Sequence, residues 1–144
     1  MPLATREDTW LIDVTLYPVG AAPLKLGVFD TFAGGETDSE EAKYRPGNMG
    51  IEISLGGSKT VGNVTVGRYL DVQRDWPVYK TIQNMAGSAR MSVARTPLLP
   101  SGMKGGDAAT WIGTLKTATL TDVDSTGSDV AKLELEMTCD ASVA

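Results

Sequence analysis

Apolar and polar residues alternate along most of this chain, which is the period of β-strands with one face buried. The clearest case is a pair of strands, Thr110 to Leu120 and Val130 to Thr138, on either side of a loop rich in Asp, Ser and Gly. In the second strand Leu133, Leu135 and Met137 share one face, and charged residues occupy the other. The pattern predicts a hairpin whose one face contributes to the core.

The same alternation predicts five more strands, separated by segments rich in Gly, Pro and short polar residues. These strands are Thr9 to Tyr17, Leu24 to Phe32, Met49 to Leu55, Val61 to Leu70 and Ala89 to Arg95. A sheet of this kind exposes strand edges, and such edges must be covered to prevent indiscriminate pairing with other chains. Ordered self-assembly is one way to cover them.

One segment has the signals of a helix. Asp75 is a suitable N-cap, Pro77 follows in the first turn, and Gly87 stands where a C-terminal cap belongs. Val78, Ile82 and Met85 recur on one helical face and are expected to cover one end or face of a sheet. The chain is therefore predicted to be mainly β, a single domain over residues 1–144 in which two packed antiparallel sheets form a sandwich or partial barrel with one flanking helix.

The segment from Ala33 to Asn48 is predicted to be a long charged loop, because it is too long and too polar to lie in a core. Its charged side chains are those of Glu36, Asp38, Glu40, Glu41, Lys43 and Arg45. Two interpretations remain open. The segment is either a solvated, mobile loop, or an arm that becomes ordered against a neighbouring subunit.

Composition narrows the possible chemistry. The chain has no histidine and a single cysteine, Cys139, so the usual catalytic triads and most zinc sites are excluded. We therefore expect no enzymatic activity, no cofactor and no metal. The net charge of −5 disfavours an ordinary nucleic-acid binder. No apolar run is long enough for a membrane helix, and the N-terminus lacks a signal-peptide pattern, so we expect synthesis in a cytoplasm and no membrane insertion.

The acidic loop between the last two strands matches part of a calcium-binding loop. Asp122, Asp124, Thr126 and Gly127 occupy positions one, three, five and six of an EF-hand register. Position twelve, which requires a bidentate Glu, is Leu133, and strands rather than helices flank the loop. The sequence favours a plain turn.

Several features recur in a fixed order in the second half of the chain. A helix ends at Gly87, a strand follows, and the G-x-L-K strand of Gly113 to Lys116 leads to the acidic turn Asp124 to Asp129 and the alternating strand Leu133 to Met137. In this order and spacing, residues 60–140 resemble the major tail tube proteins of long-tailed bacteriophages and gene transfer agents. The N-terminal third is compatible with this family but is less diagnostic.

The resemblance implies two orthogonally packed sheets with a flanking helix. It further implies that six copies form a ring whose inner sheets join into a barrel, and that rings stack into a tail tube through which DNA is delivered into the host cell. The implied partners are other copies of the chain and the terminator, tape measure and distal tail proteins, all within the tail of the virion. Extended loops bridge subunits in this family, and position alone assigns that role to Ala33 to Asn48.

Charge is consistent with such a conduit. A ring of six chains would carry about −30, six times the −5 of one chain, and a lumen of that sign repels DNA phosphates. Candidate lumen or interface charges are Asp13, Glu134 and Glu136, on the polar faces of their strands.

Other functions remain open at this point. A tail terminator that caps the tube would belong to the same apparatus. A carbohydrate- or protein-binding sandwich could use Trp10, Trp76 and Trp111 as stacking surfaces, although two of these lie in predicted strands and fit a core better. A hydrolase that relies on carboxylates alone is the least favoured alternative, since the spacing nominates no catalytic pair.

Overall fold

The computed structural model describes residues 10–47 and 50–143. Within these ranges the chain forms nine strands and one helix. They are β1 (Trp10–Tyr17), β2 (Leu24–Phe29), β3 (Thr31–Gly34), β4 (Thr37–Tyr44), β5 (Ile53–Val61), β6 (Val64–Tyr69), α1 (Val72–Met85), β7 (Arg90–Pro97), β8 (Ala109–Leu120) and β9 (Lys132–Val143). No helix among these residues is long and apolar enough to cross a bilayer.

Seven strands form one antiparallel sheet in the order β2-β1-β7-β8-β9-β6-β3, and β4 and β5 form a second sheet of two strands. The mainly β fold with antiparallel sheets and one helix is confirmed. The larger sheet curls into a half-barrel, because its two edge strands, β2 and β3, are consecutive in the chain and separated only by Asp30. The predicted strand Leu24 to Phe32 is thus two strands, which pair with opposite ends of the sheet.

The concave face of the curled sheet holds the core. Leu133, Leu135 and Met137 are fully buried, as the alternation predicted, and the inward residues of β1, β6 and β7 pack against them. The helix covers the sheet with Ile82 and Met85, which are also buried. The predicted apolar face of the helix is therefore confirmed.

The start of the helix differs from the prediction. Its N-cap is Asp71, whose carboxylate accepts hydrogen bonds from the backbone N–H groups of Gln73 and Arg74, and Asp75 lies one turn further on, fully buried. Pro77 consequently falls beyond the first turn. Both aspartates suit a cap by residue type. Only the folded chain shows that the Asp75 carboxylate instead accepts a hydrogen bond from Arg68. At the other end, Gly87 follows the C-cap Ala86 with a φ of 87°.

The strand predicted to end at Leu55 instead continues through two glycines to Val61, and its predicted first residue, Met49, lies outside the described residues. Thr9, the predicted start of the first strand, and Asn48 also lie outside them. Gly57 has a packing role in β5, because a Cβ there would lie 2.7 Å from the carbonyl oxygen of Glu40 on β4. Gly57, one of the two glycines that indicated a strand end, therefore allows close pairing instead.

The acidic loop before β9 is a plain turn. Asp124 accepts hydrogen bonds from the backbone N–H and the hydroxyl of Thr126, at 3.0 and 2.8 Å, and these bonds lower the pKa of its carboxyl group. Gly127 donates to the carbonyl oxygen of Asp124 at 3.1 Å. Across residues 10–47 and 50–143, no group of three or more potential metal ligands comes together.

Candidate assembly interface

The charged segment is one strand of a projecting hairpin and not the predicted irregular loop. Residues Thr37–Tyr44 form β4, which pairs with β5 in antiparallel register, and every residue of β4 is exposed. The sequence of β4 does not show the alternation of apolar and polar residues that indicates a strand, because polar residues occupy both faces of the first half of β4. We call the β4–β5 hairpin the arm.

The outer half of the arm has one apolar face. Tyr44 pairs with Ile53 and Ala42 pairs with Leu55, so these four side chains share a face of the two-stranded sheet. Tyr44, Ile53 and Leu55 remain 55%, 45% and 48% exposed. A two-stranded hairpin is at best marginally stable in water. An ordered arm with an uncovered apolar face is therefore suited to contact another surface.

The other face of the arm is charged. The Lys43 ammonium lies 3.2 Å from the Glu41 carboxylate and 4.0 Å from that of Glu52. These groups are half exposed or more, so the pairs contribute little stability in water. The sequence grouped Glu41 with Lys43 as assembly residues, and the structure brings them together and adds Glu52, which the sequence analysis did not include.

The other predicted arm residues do not form one cluster. Glu36 lies at the base of the arm, where its carbonyl oxygen accepts a hydrogen bond from Gly62. Asp38 accepts from the backbone N–H of its neighbour Ser39, Glu40 lies in β4, and Arg45 directly follows that strand.

The base of the arm is anchored to the larger sheet. The Trp111 indole N–H donates to the carbonyl oxygen of Gly35 at 2.9 Å, and the Trp111 ring packs on Phe32 with 4.9 Å between ring centroids. A Cβ at Gly35 would lie 2.8 Å from the indole nitrogen, so this contact requires glycine. The anchor fixes where the arm leaves the sheet and leaves its outer half exposed.

Sequence reasoning missed the apolar face of the arm as an interface. The alternation of Ile51, Ile53 and Leu55 predicts a strand, but nothing in it marks the apolar face as an interface. A period of two shows that one face of a strand is apolar, and it carries no information on whether that face packs within the chain or outside it.

The three candidate lumen charges do not form one patch. Glu134 and Glu136 lie on the outer face of β9, and Asp13 lies on the outer face of β1. Asp13 pairs with a residue of β7 that in turn pairs with Thr110, at the start of β8. Glu134 pairs with Thr119, at the opposite end of β8. Thr110 and Thr119 are roughly 30 Å apart along the strand.

Of the two glutamates, Glu134 is the one without a neighbouring cation in an ion pair among the described residues. The Glu136 carboxylate lies 3.6 Å from the Lys116 ammonium and accepts a hydrogen bond from Asn63 at 3.1 Å. Glu134 is therefore the stronger candidate for uncompensated negative charge on this face.

The tryptophans occupy three different environments. Trp10 is half-buried and lies under the Arg95 guanidinium, at 3.9 Å from its ring centroid, and Trp111 anchors the arm. Trp76 is 59% exposed on α1 and stacks with Tyr79 at a centroid distance of 6.1 Å. A stacking site for carbohydrate would therefore have Trp76 and not a set of three.

A buried ion pair joins α1 to the larger sheet. Asp75 accepts hydrogen bonds from the guanidinium groups of Arg68 and Arg74, at 2.5 and 3.1 Å, and from the backbone N–H of Asp71 at 3.1 Å. Burial raises the pKa of Asp75, but the hydrogen bonds from Arg74 and Asp71 and the charge of Arg68 together outweigh it. The pKa of Asp75 therefore lies below its ordinary value.

The lowered pKa of Asp75 predicts an acid-sensitive contribution to stability. The folded state holds the carboxylate ionised at a pH where the unfolded chain, with a pKa of about 3.9, binds a proton. This contribution is complete above about pH 5 and is lost as the pH falls through the folded-state pKa. Urea unfolding between pH 2.5 and 7 is expected to show a shallower acid loss for Asp75→Asn than for the wild type; equal slopes would contradict this assignment.

Comparisons with known proteins bear on the fold. No model of a protein family matches the chain, and no curated protein sequence matches it. Among solved structures, a chain of the anti-feeding prophage baseplate, solved by cryo-electron microscopy with 6-fold symmetrisation, is similar with a TM-score of 0.71 and 13% identity. That alignment covers 100% of this chain and 96% of the other.

Two further structures are similar over nearly their whole length. A chain of the PVC sheath–tube complex, from an extracellular contractile injection system in its extended state, gives a TM-score of 0.63 at 17% identity, covering 98% of this chain and 90% of the other. A chain of the anti-feeding prophage tube-terminating cap gives 0.67 at 13% identity, covering 100% and 93%. The chain thus shares its fold with chains of the anti-feeding prophage and of an extracellular contractile injection system.

Proposed function

We propose that this protein is a structural, non-enzymatic subunit of a tail tube, and that six copies form a ring and rings stack into the tube. The observation that carries the proposal is the exposed apolar face of the arm, Ala42, Tyr44, Ile53 and Leu55, on a fold shared with chains of injection-system assemblies. Burial of this face between copies would remove its apolar side chains from water and so stabilise the assembly.

The arm, and not the larger sheet, supplies the open surface in this proposal. The sequence led us to expect exposed edges on the main sheet, but its two edge strands, β2 and β3, are brought towards each other as the sheet curls. In the arm, β4 pairs only with β5 among the described residues, which leaves the outer edge of β4 without a strand. The occupant we propose for this surface is a second copy of the chain.

The second element of the proposal is a lumen of negative charge. Glu134, on the outer face of β9, has no ion pair among the described residues, whereas Glu136 is paired with Lys116, and the formal charge of the chain is −5. Like charge would let DNA pass without binding. The protein would then act in the tail of the virion, after synthesis in the host cytoplasm, with terminator, tape measure and distal tail proteins as its other partners.

The arm is tested by two substitutions at neighbouring positions on its opposite faces. Ile53→Lys places a charge on the apolar face and is expected to raise the concentration needed for assembly at least about tenfold, since burying an unpaired charge at an interface costs more than ~1.4 kcal/mol. Ser54→Lys places the same charge on the other face and is expected to assemble like the wild type. Negative-stain microscopy and analytical ultracentrifugation measure both.

The outcomes separate the two parts of the proposal. A wild type that stays monomeric at every concentration would overturn assembly itself. Assembly of Ile53→Lys at the wild-type concentration would overturn the role of the arm and leave assembly standing.

A tube terminator is the second candidate, since a chain of the tube-terminating cap is among the similar structures. Stacking distinguishes the two roles. A tube subunit is expected to form tubes of variable length and to be abundant in particles, whereas a terminator forms single rings and is present as one ring per particle.

A further inference from the structure

The curled sheet has a seam between β2 and β6 that no strand ladder closes. β2 pairs with β1, and the pairing of β3 with β6 ends where Thr31 lies opposite Gly67. One more backbone bond, from Asp30 N–H to the Gly67 carbonyl oxygen at 2.9 Å, follows. An open cleft of about 520 Å³ lies beside the seam and is bordered by Val28, Asp30 and Arg74.

The Arg68 side chain spans this seam. Its Nη1 donates to the carbonyl oxygens of Leu26 and Val28 on β2, at 2.5 and 3.3 Å, and its Nη2 donates to Asp75 in α1. The guanidinium carbon also lies 4.4 Å from the centroid of the Phe29 ring. Arg68 itself is only 4% exposed. One buried side chain on β6 therefore contacts β2 and α1 at once.

We infer that Arg68 is a latch: it takes the place of the missing ladder between β6 and β2 and couples closure of this seam to the docking of α1. The planar fork of a guanidinium can donate to two β2 carbonyl oxygens and a carboxylate together, and an ammonium group cannot reproduce that geometry. The latch also occupies carbonyl groups of an edge strand that would otherwise be available to another chain.

A simpler role for Arg68 would be to neutralise Asp75. The double variant Arg68→Met/Asp75→Leu separates the two roles, because it removes both buried charges and leaves apolar side chains of similar size. Neutralisation alone predicts that the double variant behaves like the wild type at the seam. A latch predicts that β2 opens more often, since no donor remains for the carbonyl oxygens of Leu26 and Val28.

Hydrogen exchange followed by mass spectrometry tests the latch on protein kept monomeric, as checked by light scattering. In the double variant, peptides covering residues 24–34 are expected to exchange at least about tenfold faster than in the wild type, equivalent to ~1.4 kcal/mol of local opening. Peptides from β7 and β8 are expected to keep wild-type rates. Wild-type exchange across residues 24–34 would overturn the latch.

Two single variants complete the test. Arg68→Lys keeps a charge for Asp75 but loses the fork, so it is also expected to speed exchange in residues 24–34, and it decides the question if the double variant does not fold; a wild-type rate would overturn the latch. Arg90→Met is the matched control, because it removes the exposed ion pair of Arg90 with Asp140 and is expected to leave residues 24–34 unchanged.

Discussion

Replacing Asp75 by alanine is expected to lower the free energy of unfolding by about 3–5 kcal/mol, because it leaves the Arg68 guanidinium buried without a counter-charge. The Asp75 side chain is fully buried and that of Arg68 is 3% exposed, so solvent screens this pair very little. The substitution also removes the carboxylate that accepts two hydrogen bonds from the Arg74 guanidinium. Urea unfolding at pH 7, followed by circular dichroism, measures the loss.

Asp140→Ala is the matched control for this prediction. Asp140 also pairs with an arginine, Arg90, but about half of each side chain is exposed. Removing an exposed partner is expected to cost less than about 1 kcal/mol. If the two alanine variants lost similar stability, the Arg68–Asp75 pair would not be the buried connection between α1 and the sheet that its geometry indicates.

Gly113→Ala is expected to cost about 4 kcal/mol or more and to prevent most of the protein from folding, because the added methyl group would meet backbone atoms. A Cβ at Gly113 would lie 1.6 Å from the carbonyl oxygen of Thr138 and 2.9 Å from the Cα of Cys139 on β9. The register of β8 against β9 is irregular here, between Trp111 and Gly113. A backbone contact cannot be relieved by a rotamer change, so the two strands would have to separate.

Gly56→Ala provides the control, since it is the same substitution within a strand. A Cβ at Gly56 meets no atom within 4 Å, and its φ is not in the left-handed region. We expect its free energy of unfolding to stay within about 1 kcal/mol of the wild type. Soluble yield and thermal unfolding of both variants test the pair, and normal folding of Gly113→Ala would show that β8 and β9 are not held as closely as described.

These two sites concern parts of the chain that the proposed tube subunit needs intact. Gly113 opens the G-x-L-K segment on which the tail tube resemblance partly rests, and its close approach to Thr138 gives that glycine a physical reason. Asp75 and Arg68 hold α1 on the curled sheet. Both sites are remote from the apolar face of the arm in the chain, so stability and assembly can be tested with separate variants.

The order of apolar and polar residues is sufficient to predict which side chains face the core of the larger sheet. The alternation of Leu133, Leu135 and Met137 predicted a buried face, because side chains of a strand point alternately to opposite sides whatever its neighbours are. The apolar face of α1 followed from helical periodicity in the same way. Val64, Val66 and Arg68 share the inward face of β6, so the same alternation also places this arginine among buried residues.

The surface that lies opposite each face is known only from the folded chain. The alternation of Ile53 and Leu55 equals that of a core strand, yet it forms an exposed face of the arm, because no periodicity specifies which surface will cover it. Asp71 and Asp75 are equivalent as helix caps in sequence, and the approach of Arg68 from a distant strand separates their roles. The chain encodes local direction and polarity, whereas contacts between residues far apart in sequence depend on how the sheet curls and where its strands pair.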